Sequence, residues 1–570
     1  MAALALATVS LGTVACGKDD PPPQTPSRDA GQSQPDAGTT PDSGTAPDSG
    51  TEPDAGTEPD AGEPPPPAFT LSAPDEYPIS FGVVANPDFE VQVVRQPTFT
   101  GDVSLSVEGL PPRVRALPLL PISIPGTESR TSLSFFPEEF AAYGRFTIQL
   151  VGEGNGERVE RAMTLDIRPG KAALDSSFGT DGIATPAFGH PDVKINAMAV
   201  QPDGKWVLVG STGSTGLRNV LVARLLADGT PDTSFGTQGV VVTDVCGEDD
   251  YVDAVTVLSD GRILVAGASI AGTNDCVGTL YQGALFARYT ASGALDTTFG
   301  GTGIRTFRIV QGVAALHAVT VDSNGRVVGA GTVNATDQDL MVIRLTPTGA
   351  LDTTFSDNGV ASADQSDDEE GLAVVIQADG KIVVAGSSDD PRNNLAIVRF
   401  NASGTEDASF NFFASFTSPD IRPRTLHLLA DGRLLLTGRA TYSDGRYKAA
   451  LLRVTSSGDE DPTFGQGGLA TFDSGVSSFN AAVVGAGLLP GGEIVLATTS
   501  RTAAGAPELG VIHVSADGKS SLRAYSTNFP GEEAPSVAVL DAEGFLRVGG
   551  LYTPEGQSVP VPFVTRYWPY

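Results

Sequence analysis

The sequence predicts an all-β chain dominated by a closed array of repeated sheets, and three observations carry that expectation. Close copies of Leu295-Asp296-Thr297-Thr298-Phe299-Gly300-Gly301-Thr302-Gly303 recur at Leu174 to Gly182, Pro231 to Gly239, Leu351 to Gly359 and Glu460 to Gly468, with a worn copy at Glu406-Asp407-Ala408-Ser409-Phe410. Two-residue turn signals stand at Asp203-Gly204, Asp260-Gly261, Asn324-Gly325, Asp379-Gly380, Asp431-Gly432, Gly491-Gly492 and Glu543-Gly544, and Asx-Gly pairs tolerate the positive φ that joins antiparallel strands. Successive turn glycines lie 57, 64, 55, 52, 60 and 52 residues apart, an interval that suits a four-stranded propeller blade. The fold class read from these marks is a seven-bladed β-propeller of four-stranded blades over residues 170–570, behind a β-sandwich at 68–169 and a disordered linker at 17–67. An open solenoid is the runner-up; a ring closes its own edges, whereas a solenoid needs caps.

Charge narrows the function classes. Lys and Arg number 36 against 68 Asp and Glu, a net charge of −32 over 570 residues, and such a surface repels a phosphate backbone. No nucleic-acid partner is expected. The acidic balance suits solubility outside the cell, with cation binding as the sharper alternative.

In chain order, Met1 to Ala15 are apolar and small, Thr13-Val14-Ala15-Cys16 follows, and charge begins only at Lys18. Residues 1–16 resemble the signal segment of a bacterial lipoprotein, although the basic n-region of such a signal is missing. That resemblance implies lipid attachment at Cys16, membrane contact through the lipid anchor only, and a place in the cell envelope at the outer membrane or cell surface, with secretion otherwise. The following stretch is Pro, Asp, Gly, Thr and Ser, with Thr51-Glu52-Pro53-Asp54-Ala55-Gly56 repeated at Thr57 to Gly62. It lacks the large apolar side chains that repay ordering entropy, and its Pro content and like charge keep it extended.

From Ala68, short alternating strands are expected at Phe69 to Ser72, Phe89 to Val94, Val103 to Val107, Ser132 to Phe136, Phe146 to Val151 and Met163 to Ile167, the pattern of a β-sandwich. Gly101 to Pro111 and Tyr143 to Leu150 resemble the Ig-like modules of bacterial surface proteins, which implies a spacer ahead of the repeats.

Within each repeat, strands flank the turn, as at Leu372 to Gln377 and Lys381 to Ala385, and a further strand follows, as at Leu395 to Phe400. Six residues beyond the turn glycine stands another, at Gly210, Gly267, Gly331, Gly386, Gly438 and Gly550, with Thr498 the exception. A missing side chain there is read as close approach of neighbouring sheets. In the marker, the Asp bonds nearby backbone amides, the Phe wedges between blades and the glycines let the chain cross into the next inner strand.

The Leu-Asp-x-x-Phe-Gly-x-x-Gly marker, followed by a strand, Asp-Gly-Lys and a Val-Ala-Gly strand, resembles the delta-60 repeat over about Ala172 to Tyr570. That resemblance implies a β-propeller of unassigned function, common in secreted and cell-envelope proteins, and it brings no catalytic residues.

Residue patterns that carry chemistry are correspondingly sparse. The two turn types fall on one face of a propeller and the variable loops on the other. Those loops carry Glu248-Asp249-Asp250, Asp364 with Asp367-Asp368-Glu369-Glu370, and Asp389-Asp390, none with the spacing of an EF-hand. His190, His317, His427 and His513 form no metalloprotease motif or triad. No catalytic residue, metal ligand or cofactor is assigned. The expected function is a non-catalytic, membrane-tethered binding or scaffold protein, a monomer, taking a protein or glycan ligand on the variable loop face. The alternative is a calcium-dependent hydrolase or lactonase, which would bring four or more carboxylates to one point of the central channel.

Two structural pairings are also expected. Cys246 and Cys276 both lie in loops of the same face, and in an oxidising compartment they pair as a disulfide. Five repeats carry an Arg eight residues before the marker Asp: Arg224 and Asp232, Arg288 and Asp296, Arg344 and Asp352, Arg399 and Asp407, Arg453 and Asp461. The sixth has His513 and Ser521 instead. Joint loss suggests blade-corner contacts, and Arg566 with Asp175 would then close the ring, leaving every blade built of contiguous sequence.

Overall fold

The computed structural model describes residues 66–80, 88–137, 144–168, 174–175, 178–180, 182–270, 282–308, 313–334, 337–364, 368–389, 395–410, 412, 419–473, 481–501, 507–525 and 531–568. Cys16, most of the linker and Cys276 lie outside them. The described chain is all β, and among these residues no helix is long and apolar enough to cross a membrane.

Residues 68–168 form two sheets. One orders Phe69–Ser72, Phe89–Arg95, Arg130–Pro137 and Val114–Leu117; the other orders Glu76–Ser80, Glu157–Arg168, Gly144–Gly154, Val103–Glu108 and Ile122–Ile124. Alternation drives their packing: in Phe89–Arg95 every second side chain, Phe89, Val91 and Val93, is buried. These meet Leu105, Ile148, Leu150 and Leu165 of the other sheet in one core. Glu76–Ser80, Val114–Leu117 and Ile122–Ile124 were not among the expected strands. Their short lengths and prolines at 78, 118 and 121 weaken the sequence signal.

Four-stranded sheets follow. The first orders Lys194–Val200, Trp206–Thr212, Asn219–Leu225 and Val240–Thr243; the second, Asp250–Val257, Ile263–Ser269, Gly283–Tyr289 and Ile304–Phe307. The third runs Ala314–Val321, Val327–Asn334, Gln338–Leu345 and Val360–Ala363. The fourth has three described strands, Glu369–Ile376, Ile382–Ser388 and Leu395–Phe400; the fifth has Asp420–Leu428, Leu434–Thr441, Tyr447–Val454 and Leu469–Phe472. An eight-stranded sheet ends the chain, in the order Ile183–Ala184, Val561–Tyr567, Leu546–Pro554, Gly531–Leu540, Ala482–Leu488, Ile494–Arg501, Pro507–Val514 and Ser521–Tyr525. Its halves meet at a single parallel bridge, Gly485 to Ala538.

Two expectations about connectivity are corrected here. The strand after each marker does not begin the next unit: Val240–Thr243 pairs back onto Asn219–Leu225 as the outermost strand of its own sheet. The marker is a tight corner that reverses the chain, with the Asp232 amide donating to Arg224 O and the Arg224 amide to Gly239 O. The same corner makes Ile183–Ala184 an outer strand with no sheet before it, so it pairs with Val561–Tyr567 at the far end of the chain. The last sheet is therefore built from both ends of the repeat region rather than from contiguous sequence. The glycines six residues past the turns also have a different cause: at Gly331 a Cβ would lie 1.9 Å from Ala315 O, on the adjacent strand of the same sheet.

The first strands of successive sheets pack on one another in turn, and Gly531–Leu540 packs on Lys194–Val200 of the first sheet. Ser536 Oγ donates to Ile195 O at 2.6 Å, and Arg547, paired with Asp541, lies over the Trp206 ring and donates to Gly204 O.

Candidate functional site

Two positions recur along the repeat region, and they differ in what occupies them. The first is the corner at the turn end. Arg288 Nε donates to Asp296 Oδ2 at 2.7 Å, its Nη1 to Pro347 O of the next sheet at 2.6 Å, and its Nη2 to Thr298 Oγ1 at 2.9 Å. Thr298 Oγ1 donates to Asp296 Oδ1, Arg262 adds a second cation at 3.1 Å, and the guanidinium lies over Phe299 at 4.6 Å. Arg224 with Asp232, Arg344 with Asp352, Arg399 with Asp407 and Arg453 with Asp461 repeat this at 2.7 to 2.9 Å. Arg566 Nε donates to Asp175 Oδ2 at 2.7 Å and its Nη1 to Ala227 O. Burial opposes charge at Asp232, but the Ser234 hydroxyl and amide with the Arg224 and Lys205 cations hold its carboxyl at about 2. The buried pairs tie each sheet to the carbonyl of the next. Where His513 and Ser521 replace them, Gly485 and Gly487 let the first strands touch instead, since a Cβ at Gly487 would lie 2.1 Å from Leu540.

The second position is a β-bulge near the loop end of every first strand. Pairing with the second strand slips by one residue at Asn196, Asp253, His317, Leu372, Arg424, Val484 and Ser536. The opposing glycine makes room for the slip: Gly331, paired with Leu316 just before the bulge, admits the carbonyl that a side chain would block. Side chains at the bulges, joined by Glu370 and Arg422 two positions before the bulge in the fourth and fifth first strands, meet from sheet to sheet. Asn196 Nδ2 donates to Asp253 Oδ1 at 3.0 Å, and Asp253 Oδ2 stands 3.2 Å from His317 Nδ1. His317 Nε2 is 3.4 Å from Glu370, whose other oxygen accepts from Arg422 Nη2 at 2.8 Å. Arg424 reaches past Val484 to donate to Ser536 O at 2.8 Å. The loop of polar contacts thus runs through all but one of the first strands.

This ring is half-buried, with the His317 and Asp253 side chains 21% and 27% exposed. Burial pulls the Arg424 guanidinium down, against the opposing charge of Asp253, and burial followed by Asp253 pushes Tyr251 up to about 12. Sequence reasoning passed over the ring because its members share no residue type. The available signal was an offset: each bulge residue stands eight positions before its turn glycine.

The acidic loops divide. Asp339, Asp364 and Glu369 bring carboxylate oxygens within 4.8 Å of one another, and burial, then Asp364 and Asp337, raises the Asp339 carboxyl. Glu369 is fully buried and accepts from Ser388. Asp250 is also fully buried and pushed up to about 6, by burial first and by Asp244 and Asp249, against the nearby Ser269 hydroxyl and the bond from the Val245 amide. Asp367 and Asp390 lie outside the described residues. Cys246, in the loop ahead of Asp250, is disulfide-bonded. Among the described residues of the repeats, the exposed large apolar side chains are Leu217, Val313 and Val559, all in loops of the ring's end. A cavity of about 230 Å³ at the opposite end, lined by Leu429, Arg433, Arg453, Phe464 and Ile494, has Arg453 committed to Asp461; we assign it no binding role.

Residues 201–235, 258–299, 323–355, 377–410 and 429–464 each match the family model described as "Domain of unknown function (DUF5122) beta-propeller". These are propeller repeats. No curated protein matches the chain. Among solved structures, the chain is similar to a protein of unknown function from Dyadobacter fermentans at 11% identity, covering 68% of this chain and 99% of that one, with a TM-score of 0.36. A quinoprotein alcohol dehydrogenase-like protein from Bacteroides thetaiotaomicron aligns at 12% identity over 79% and 94% of the two chains, TM-score 0.32. A polysaccharide lyase described as an ulvan lyase aligns at 12% identity over 66% and 94%, TM-score 0.38.

Proposed function

We propose that the chain is a non-catalytic, extracytoplasmic binding protein in which a seven-bladed propeller presents its loop end to a protein or glycan. Counting the halves of the eight-stranded sheet separately gives the seven blades. The Ig-like sandwich acts as a spacer, the Pro-rich linker and a lipid on Cys16 hold the chain at the cell envelope, and Cys276 is the disulfide partner of Cys246. The carrying observation is the division between ends: the turn end repeats one set of residues, while the loop end varies and carries Leu217, Val313 and Val559 exposed. The calcium-dependent hydrolase alternative needs carboxylates converging on the channel. In the ring, Asp253 and Glu370 are instead separated by His317 and engaged by Asn196 and Arg422.

Full-length protein incubated with isolated cell-envelope polysaccharide and protein fractions should be retained, and less so as Leu217→Ser with Val559→Ser. Calcium-dependent turnover of an ester, lactone or glycoside panel would contradict the proposal. A Cys16→Ala variant should leave the membrane fraction; unchanged partitioning would remove the lipid anchor from the account.

A further inference from the structure

We infer that the loop end holds a hard divalent cation of the calcium type at each of two equivalent seams, between the first and second sheets and between the third and fourth. The inference goes beyond the binding reading above and does not depend on it. The two seams match in register. Asn219 precedes the Val220 to Thr243 pair and Asp244 follows it, and Asp339 and Asp364 stand likewise about the Leu340 to Ala363 pair. Each next sheet then opens on a fully buried acid, Asp250 or Glu369, whose register partner is a buried serine, Ser269 or Ser388. Every side chain in both sets offers oxygen, the ligand atom that calcium selects.

Between the third and fourth sheets, Asp339, Asp364 and Glu369 each bring a carboxylate oxygen within 4.8 Å of the others. One ion with ligands at about 2.3–2.6 Å can touch all three. The Asp339 side chain has no partner among the described residues, and its Oδ1 is buried. Between the first and second sheets the independent sign is a pair of orphaned atoms. Ser388 donates to Glu369 at 3.1 Å, but the shorter Asp250 leaves its Oδ1 and the Ser269 hydroxyl both enclosed without a partner. These residues are 0% and 1% exposed, and buried oxygens in that state are costly unless a ligand answers them. Asp244 spends one oxygen on the Gly247 amide and Asp250 one on the Val245 amide, which leaves an oxygen of each for an ion. A third seam shows the protein's own answer. Between the fifth sheet and the next, Lys448 stands where Asn219 and Asp339 do, Asp473 where Asp244 and Asp364 do, and Lys448 Nζ lies 3.2 Å from Asp473 Oδ2. That seam carries its cation in the chain and has Ala481 in place of the buried acid. Among the described residues no lysine or arginine pairs with Asp244, Asp250 or Asp339, and in a chain of net charge −32 such carboxylates draw a cation from solution. Each ion ties the outer strand of one sheet to the first strand of the next, as the arginine corners do at the other end.

The test is calcium uptake by chelator-treated full-length protein, measured by equilibrium dialysis at about 0.15 M salt, where diffuse attraction to an acidic chain is screened. Asn219→Lys and Asp339→Lys each copy Lys448 into one seam. The native chain should take up two calcium equivalents that each lysine variant reduces by one and the double variant abolishes. Calcium should also slow amide hydrogen exchange at Asp250 to Val252 and at Glu369 to Gly371 at least about threefold, and each variant should lose that response at its own seam alone. Should a lysine variant fail to fold, Asp250→Asn and Glu369→Gln remove one ligand from the same sites with little change of shape. Calcium uptake that none of these variants alters would overturn the inference, as would a single equivalent indifferent to Asn219→Lys, or the absence of any saturable uptake.

Discussion

The corners and the bulge ring are the same kind of object, one position repeated around a set of sheets, yet they have opposite sequence behaviour. At the corners Arg, Asp, Ser or Thr and Phe recur, the internal Arg, Asp and Phe side chains are buried, and the Arg bond to the following carbonyl joins one sheet to the next. At the bulge the residues run Asn, Asp, His, Leu, Arg, Val and Ser, the polar ones are half-buried, and the backbone geometry alone is constant. The difference teaches how to separate scaffold from site in a repeat protein. Where the backbone and the residue both repeat, the position holds the fold; where the backbone repeats and the residue does not, the fold holds the position for something else.

The largest effect that sharpens this contrast belongs to a corner. Asp296→Asn leaves the buried Arg288 without its counter-charge and should cost about 3–5 kcal/mol in chemical denaturation. A loss under about 1 kcal/mol would mean that the corners are decorative.

The two ends should also respond oppositely to pH. Asp232, held at about 2 in the folded chain against an unfolded value of 3.8, contributes stability that is present above pH 4 and lost as pH falls towards 2. Asp250, pushed up to about 6, keeps a proton in the folded state that the unfolded chain has released, so it subtracts stability as pH rises from about 4 to 6, by roughly 3 kcal/mol at most. Asp250→Asn should abolish the gain seen on acidifying from pH 7 to 4 and leave the loss below pH 4 unchanged. A variant with the native profile over both ranges would contradict the assignment.

A smaller effect concerns the backbone that both positions share. Gly331→Ala places a Cβ against Ala315 O and should cost about 1–3 kcal/mol. Thr498, at the equivalent place, is accommodated by Gly510 across the next strand pair, so Thr498→Gly should not gain a comparable amount. Tolerance of alanine at Gly331 would separate the glycine from the bulge.

Much of this was legible in the sequence where the cause is local. Asp260-Gly261 and its relatives report a turn because two residues suffice to set it, and Arg288 with Asp296 could be paired from their joint loss as His513 and Ser521. What escaped depends on pairing partners. Whether Val240–Thr243 closes its own sheet or opens the next is decided by the corner's reversal, which no spacing encodes, and the same blindness hid the pairing of Ile183–Ala184 with Val561–Tyr567. The ring escaped for a different reason: motif reading looks for constant residues, and Asp253, His317 and Arg424 share only an offset of eight from a turn glycine. That offset was present in every repeat.

The central claim is that residue variation on a constant backbone marks the site, and one paired measurement tests it most directly: unfolding free energies of Asp253→Asn and Asp296→Asn, determined side by side in full-length protein. Half-exposed charge contacts contribute little, so the account predicts a change below about 1 kcal/mol for Asp253→Asn beside the several-fold larger loss for Asp296→Asn. Equal losses at the two positions would make the ring a second set of structural ties and contradict the account.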